Sequence, residues 1–313
     1  MDTRTPDRLT LLAFTLTVLF AGNNSIAVKY SNTELPPFFG AAIRFGIAAL
    51  IFIILIPAFH LKLPRGRNLM GAVLYGILGT GLNFALIYWA LEYIPAGLSM
   101  VILALVPLLT FLFAWAFGQE SFRWEAILGA SLALFGIGII AWDQVNANVP
   151  ILPILAVLGG AICFAGSTVL IKSFPQSHPI TTNAVALISG SILLFVFSIL
   201  GKEIPALPSL PQTWIALTYL VIFGTVVTFG LSLYVIKKWT ASASSYTFVL
   251  MPIVTVIMGA WLINESITVP FLAGAVFVLS GAYIGSFANI EQVKNTISGI
   301  IPQHKKQTPE CCD

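Results

Sequence analysis

The chain has 313 residues, 58% of them hydrophobic and only 9% charged, with a formal net charge of +3. A soluble domain carries roughly 25% charged residues, so this composition cannot make a solvated surface and lipid must bathe most of it. The small positive excess excludes the electrostatic footprint of a nucleic-acid binder, and three cysteines (Cys163, Cys311 and Cys312) supply neither a disulfide framework nor a metal-ligand spacing.

Apolar runs of about 20 residues, long enough to cross a hydrocarbon core of about 30 Å as helices, follow one another along the chain. They are Leu9–Val28, Pro37–Phe59, Leu69–Leu91, Pro95–Phe117, Arg123–Trp142, Pro150–Ile171, Ile180–Leu200, Gln212–Ile236, Ala243–Ile263 and Thr268–Ala288. Helix is the required form, because lipid offers no partner to an open backbone N–H or C=O. Arg4 and Arg8 precede the first run as they would a signal peptide, but no small-x-small cleavage site follows, so it is read as a span. The linkers are short and force neighbouring helices to be antiparallel.

Basic residues set the orientation. With the amino terminus in the cytoplasm, the inner loops and tails hold Arg4, Arg8, Lys62, Arg65, Arg67, Arg123, Lys172, Lys237, Lys238, Lys294, Lys305 and Lys306. The outer loops hold Lys29 and Lys202, and Arg44 lies within a span. So lopsided a split predicts a multi-pass protein of the cytoplasmic (inner) membrane with both termini cytoplasmic. Trp124, Trp142, Trp214 and Trp239 fall at span ends, where the interfacial belt is expected.

The second half of the chain repeats the first. Val106-Pro107, Gln119-Glu120-Ser121, Gly129 and Gly136 recur as Met251-Pro252, Asn264-Glu265-Ser266, Gly274 and Gly281, each offset by 145 residues. Ala21–Lys29 resembles Phe164–Lys172, and Tyr88 corresponds to Tyr234. Five helices per copy is an odd number, so the copies enter the membrane from opposite sides. The expected fold is therefore all-α and transmembrane: a ten-helix bundle of two inverted five-helix repeats. The repeats are expected at 9–142 and 150–289, followed by a polar cytoplasmic tail at 290–313. Inverted repeats suit secondary transporters, whose site lies near the midplane between the halves.

Trp89-Ala90-Leu91, Ala96-Gly97-Leu98-Ser99, Leu103–Pro107, Gly118-Gln119-Glu120, Gly129 and Gly136 resemble the EamA domain of the drug/metabolite transporter superfamily. Ala241–Pro252, Asn264-Glu265, Gly274 and Gly281 resemble it again in the second half. The resemblance implies a ten-helix exporter or permease of small metabolites such as amino acids, working by alternating access. Asn23-Asn24 departs from the family, which often carries an aromatic-Gly-Ser type of sequence there.

Polar groups inside spans are the candidates for a solute path, since amides and charges in lipid are costly unless they face protein or a wet cavity. They are Asn23, Asn24 and Arg44 in the first two helices, Asn83, Tyr88 and Trp89 in the third, Ser167 in the sixth, and Thr228 and Tyr234 in the eighth. Each has a bland alternative: interhelical glue for the amides and hydroxyls, and core packing or the interfacial belt for the aromatic residues. For Arg44 the alternative is snorkelling or pairing with Glu34 or backbone carbonyls.

Pro107 and Pro252 are read as kinks that shape a cavity or gate. Glu120 and Glu265 are read as carboxylates favouring the N-termini of helices five and ten. The inversion also suggests Lys29–Glu265 and Lys172–Glu120 as symmetry-related gate pairs. No Asp, Glu or His lies deep in a span, so a proton relay is not evident, although Glu92 at a helix end keeps it open.

No cofactor, metal or nucleic acid is expected, and no catalytic residues, so the chain is not read as an enzyme. The expected partners are a small solute and the bilayer; a homodimer is one option for its assembly. A non-transporting receptor or scaffold with a transporter fold is the alternative function.

Overall fold

Helix boundaries follow from local chemistry. In the computed structural model, which describes residues 7–119, 124–146, 150–175, 177–238 and 241–287, the first helix begins where the Asp7 carboxylate accepts the N–H of Thr10 at 2.8 Å, an N-cap that satisfies a free donor. Pro36-Pro37, Pro179 and Pro211 open later helices, because proline has no N–H to leave unpaired in a first turn.

The described residues form ten helical rods and no strand. These are α1 (Arg8–Asn32), α2 (Pro37–Ala58), α3 (Arg67–Ala90), α4 (Ala96–Ala116) and α5 (Trp124–Asn146), then α6 (Ile151–Lys172), α7 (Pro179–Leu200), α8 (Pro211–Val221, Ile222–Val227 and Thr228–Lys238), α9 (Ala241–Leu262) and α10 (Val269–Phe287). Seven rods are long and apolar enough to cross a membrane, and the other three contain the shorter apolar stretches Ile127–Ile140, Thr247–Leu262 and Val269–Ile284. Large aliphatic side chains such as Leu12, Ile54, Ile199 and Leu200 point outward, as a lipid-facing surface requires. Small residues (Ala41, Ala42, Ala48, Ala161, Ala165 and Ala184) are fully buried and let helices approach closely.

The packing obeys the two-fold relation read from the sequence. α2 packs on α7 and α5 on α10, each helix against its own counterpart, while the α3–α6 contact is matched by α8–α1 and α4–α6 by α9–α1. The α5–α10 crossing is close. A Cβ on Gly136 would come within 2.6 Å of the Gly274 carbonyl oxygen, and one on Gly274 within 2.7 Å of that of Gly136. Gly281 meets the Gly129 carbonyl oxygen at 2.5 Å in the same way. These are the recurring glycines of the sequence repeat, and their lack of a side chain is what permits the contact.

Three interruptions matter for the site. α1 breaks at Asn23, between Arg8–Gly22 and Asn24–Asn32. α3 and α8 each contain a wide, π-helical turn, at Ile77–Leu82 and Ile222–Val227. The two turns are 145 residues apart and each carries a Gly-Thr pair (Gly79-Thr80 and Gly224-Thr225). The two prolines behave differently. α4 is broken after Leu103 and restarts at Val106 with Pro107 in its first turn, whereas Pro252 sits inside a continuous α9.

Candidate functional site

A π-helical turn leaves backbone carbonyls without their usual partners, and the turn in α8 directs them inward. The Thr225 hydroxyl donates to the Leu220 carbonyl at 2.8 Å, and the Thr228 hydroxyl to that of Phe223 at 2.6 Å. The Gly224 carbonyl remains and takes two donors from the other repeat: Asn24 Nδ2 at 3.3 Å and Arg44 Nη2 at 3.3 Å. Gly224 leaves room for this contact, because a Cβ there would lie 2.2 Å from Asn24 Oδ1 and displace that amide. The equivalent position in α3, Gly79, is pressed likewise by Ser167 of α6, and its carbonyl accepts Asn83 Nδ2 at 3.2 Å.

Arg44, two turns into α2, is the most deeply buried cation described, at 1% exposure. Nε donates to Thr225 Oγ1 at 3.1 Å and Nη1 to the Tyr88 hydroxyl at 3.2 Å. The guanidinium also lies 4.8 Å from the Phe45 ring centroid and 5.5 Å from that of Phe84, close enough for cation–π attraction. Among the described residues no carboxylate stands within ion-pair distance of it.

The expected alternative partner, Glu34, is engaged elsewhere. Its carboxylate accepts the N–H groups of Ser209 (3.1 Å) and Leu210 (3.0 Å) and the Thr213 hydroxyl (2.6 Å) at the start of α8. The Thr213 hydroxyl first, then the Leu210 N–H, hold its pKa below the ordinary 4.5. A helix N-terminus offers free donors at the water side, whereas reaching Arg44 would mean burying the carboxylate. Snorkelling also fails as a description, since the guanidinium points into the bundle.

Two cavities meet at Arg44. One, of about 150 Å³, is walled by Asn24, Ser25, Arg44, Asn83, Phe84 and Phe164 among others. The second, of about 260 Å³, shares Asn24, Arg44, Phe84 and Phe164 and adds Tyr75, Asn183, Thr225, Thr228 and Ser232. Tyr75 and Asn183 also wall a third space, whose Asn68 and Ser177 border the large opening beside Lys62, Arg65 and His178. Spaces with shared wall residues thus succeed one another from Arg44 to the His178 end of the bundle.

At the opposite end, side chains bridge between helices. Lys29 Nζ lies 3.0 Å from Glu265 Oε1, Tyr30 donates to the Leu262 carbonyl at 3.0 Å, and Asn32 to that of Tyr88 at 2.9 Å. Glu265 does not sit on the N-terminus of α10, as expected; it accepts the N–H groups of Ala96 (2.7 Å) and Gly97 (3.3 Å) at the start of α4. The antiparallel packing of α4 on α9 brings the free donors of α4 to it instead.

The remaining candidates divide. Asn24, Arg44 and Asn83 line the first cavity, and Asn24, Arg44 and Thr228 the second. Tyr88 is fully buried and reaches the site through Arg44. Ser167 donates to the Phe164 carbonyl and packs beside the path. Asn23 faces a separate groove on the outer side of α1. Trp89 packs at a tilt against Tyr93, with ring centroids 5.4 Å apart, and neither it nor Tyr234 lines the two cavities.

Pro107 and Pro252 lie in α4 and α9, which pack on each other. Glu120 lies outside the described residues. Its neighbour Gln119 donates to Val169 O (3.3 Å) and Ser173 Oγ (3.2 Å) at the end of α6, next to an exposed Lys172. Sequence reasoning missed the caps at Glu34 and Glu203, whose carboxylate takes the N–H groups of Phe38 and Phe39 (3.0 and 2.8 Å). It also missed the two wide turns, for which the repeated Gly-Thr pair was the available signal.

This architecture has known relatives. The chain is 28% identical over 274 residues to an "uncharacterized transporter" of Archaeoglobus fulgidus, covering 87% of this chain and 97% of that one. It is 27% identical to the "uncharacterized inner membrane transporter YedA" of Escherichia coli K12, covering 83% and 85%. It is also 27% identical to a "probable amino-acid metabolite efflux pump" of the same organism, covering 87% and 93%. A solved crystal structure of 17% identity superposes with a TM-score of 0.62, covering 89% of this chain and 96% of its own, and shares the fold. The model of the EamA-like transporter family matches residues 8–142 and again 151–287, one match for each half of the bundle that encloses Arg44. The chain is a member of the EamA-like transporter family.

Proposed function

We propose that the chain is a secondary transporter that carries small, partly apolar organic metabolites such as amino acids or related compounds across the cytoplasmic membrane by alternating access. One observation carries the reading: a polar-spotted cavity between the two repeats joins a route to one end of the bundle while the other end is latched by Lys29 and Glu265. Asn24, Arg44, Asn83 and Thr228 are the path residues in this reading. The relative named as an amino-acid metabolite efflux pump supports the solute class.

Lys29–Glu265 acts as the outer gate and Lys172–Glu120 as its inner counterpart, with both termini in the cytoplasm. The test is counterflow in proteoliposomes loaded in turn with unlabelled amino acids, amines and nucleosides. Label is expected to accumulate above protein-free vesicles for at least one class. No accumulation for any class would favour a receptor or scaffold.

A further inference from the structure

We infer that Arg44 is a carboxylate-binding subsite, so that the carried solute is an acid or a zwitterion docked through its carboxylate. The inference rests on the transporter reading and narrows its substrate class. A guanidinium presents five N–H donors and no acceptor. Thr225 takes the donor on Nε, Tyr88 one on Nη1 and Gly224 one on Nη2. One donor is left on each terminal nitrogen, which is the pair a carboxylate uses for two parallel bonds.

All three partners are neutral, so a full positive charge stays buried beside two cavities with no counter-charge from the described residues. An isolated buried charge is held at a large desolvation cost, and an anion entering the cavity offsets it. One carboxylate balances one guanidinium; a doubly charged phosphate ester would not be neutralised.

A second observation concerns acceptors. Asn24 Oδ1 and Asn83 Oδ1, both in residues walling the 150 Å³ cavity, are buried without a hydrogen-bond partner. Unpaired buried acceptors call for a donor, and a solute ammonium supplies one. Two open N–H donors match a carboxylate, and the Asn24 and Asn83 amides, whose oxygens now lie against Gly224 and Gly160, reach the ammonium of an α-amino acid by turning toward the cavity. Phe45, Phe52, Phe84 and Leu187 leave an apolar remainder for its side chain.

The competing view is that Arg44 only pins α2 to α3 and α8. Thermal unfolding of the purified full-length protein separates the two, using the proteinogenic L-amino acids and their carboxamides as matched probes. Some of the acids are expected to raise the midpoint saturably, and their amides to be without effect. In Arg44→Lys, whose ammonium lacks the planar fork, half-saturation by those acids should need about tenfold more ligand. In Arg44→Gln the acid-over-amide preference should vanish.

A merely structural arginine would shift the unliganded midpoint and leave that preference intact. If Arg44→Gln fails to fold, Arg44→Lys decides. Equal protection by acids and amides in the wild type, no protection by any acid, or an undiminished preference in the folded variants would overturn the assignment. Uptake of the protective acids into proteoliposomes is scored separately. Protection without uptake retains the carboxylate site and removes the transporter reading, whereas uptake of amides as readily as acids does the reverse.

Discussion

At the residue scale, three carboxylates at the Lys29 end each hold a helix N-terminus belonging to another part of the chain: Glu34 that of α8, Glu203 that of α2 and Glu265 that of α4. Glu265 bonds two backbone N–H groups besides Lys29, so the partners of the ion pair are unequal. Glu265→Ala is expected to cost about 1–3 kcal/mol, since it leaves charge-facing donors unpaired, and Lys29→Ala about 1 kcal/mol or less. Denaturant midpoints of the two variants in detergent would check the order.

The pH dependence of Glu34 has a definite sign. Its folded pKa lies below the ordinary 4.5, so its contribution is fully present above that value and is lost as pH falls through the folded value. Glu34→Gln should flatten the acid limb of a stability profile below about pH 4.5. Glu92 has the opposite sign: burial first, then the Glu203 charge, push its pKa up. Its ionisation therefore opposes folding above the ordinary value, and Glu92→Gln is expected to raise the melting midpoint at neutral pH. Arg44, Asn24 and Asn83 were legible in the sequence because a charge or amide in an apolar run is conspicuous. Glu203 was not, because a carboxylate in a polar loop looks like any other until the helix it caps is placed beside it.

At the element scale, the lengths of the apolar runs located the ten rods but not their internal breaks. A π-helical turn has no compositional mark of its own; Ile77–Leu82 and Ile222–Val227 read as ordinary apolar helix. The mid-helix prolines looked equivalent, yet only α4 breaks near its proline. In lipid, neighbouring groups can re-satisfy a backbone freed by proline, and which proline breaks its helix is decided by tertiary partners.

The recurring glycines were visible as a pattern, and the structure supplies their cause in the α5–α10 crossing. Gly274→Val should force those helices apart, costing about 1–3 kcal/mol by overpacking. Gly138→Val, on the same helix as Gly136 but with nothing within 4 Å of its Cβ position, should be close to neutral. Melting midpoints of the two variants test the contrast.

At the scale of the whole molecule, the count and inversion of the helices followed from run lengths, an odd number of helices per repeat and the 145-residue offset. The path could not be traced that way, because a cavity is a property of packing between elements far apart in the chain. Topology can be tested through the tail cysteines. With Cys163 replaced by Ala, a membrane-impermeant maleimide should label Cys311 and Cys312 only after the inner membrane is opened, if both termini are cytoplasmic. Labelling in intact spheroplasts would reverse the orientation and, with it, which latch faces the periplasm.

The repeats are also unequal in one respect that matters for how the molecule idles. α2 and α7 (Pro37–Ala58 and Pro179–Leu200) start and end 142 residues apart, which sets the apolar Ala186 opposite Arg44. A duplicated machine with identical halves would rest in either of two shapes, related by the two-fold axis, with equal probability. A lone guanidinium anchored across the seam to Gly224 and Thr225 weights that coin, so in the proposed alternating-access cycle the unloaded protein should spend more time in the shape that keeps this grip.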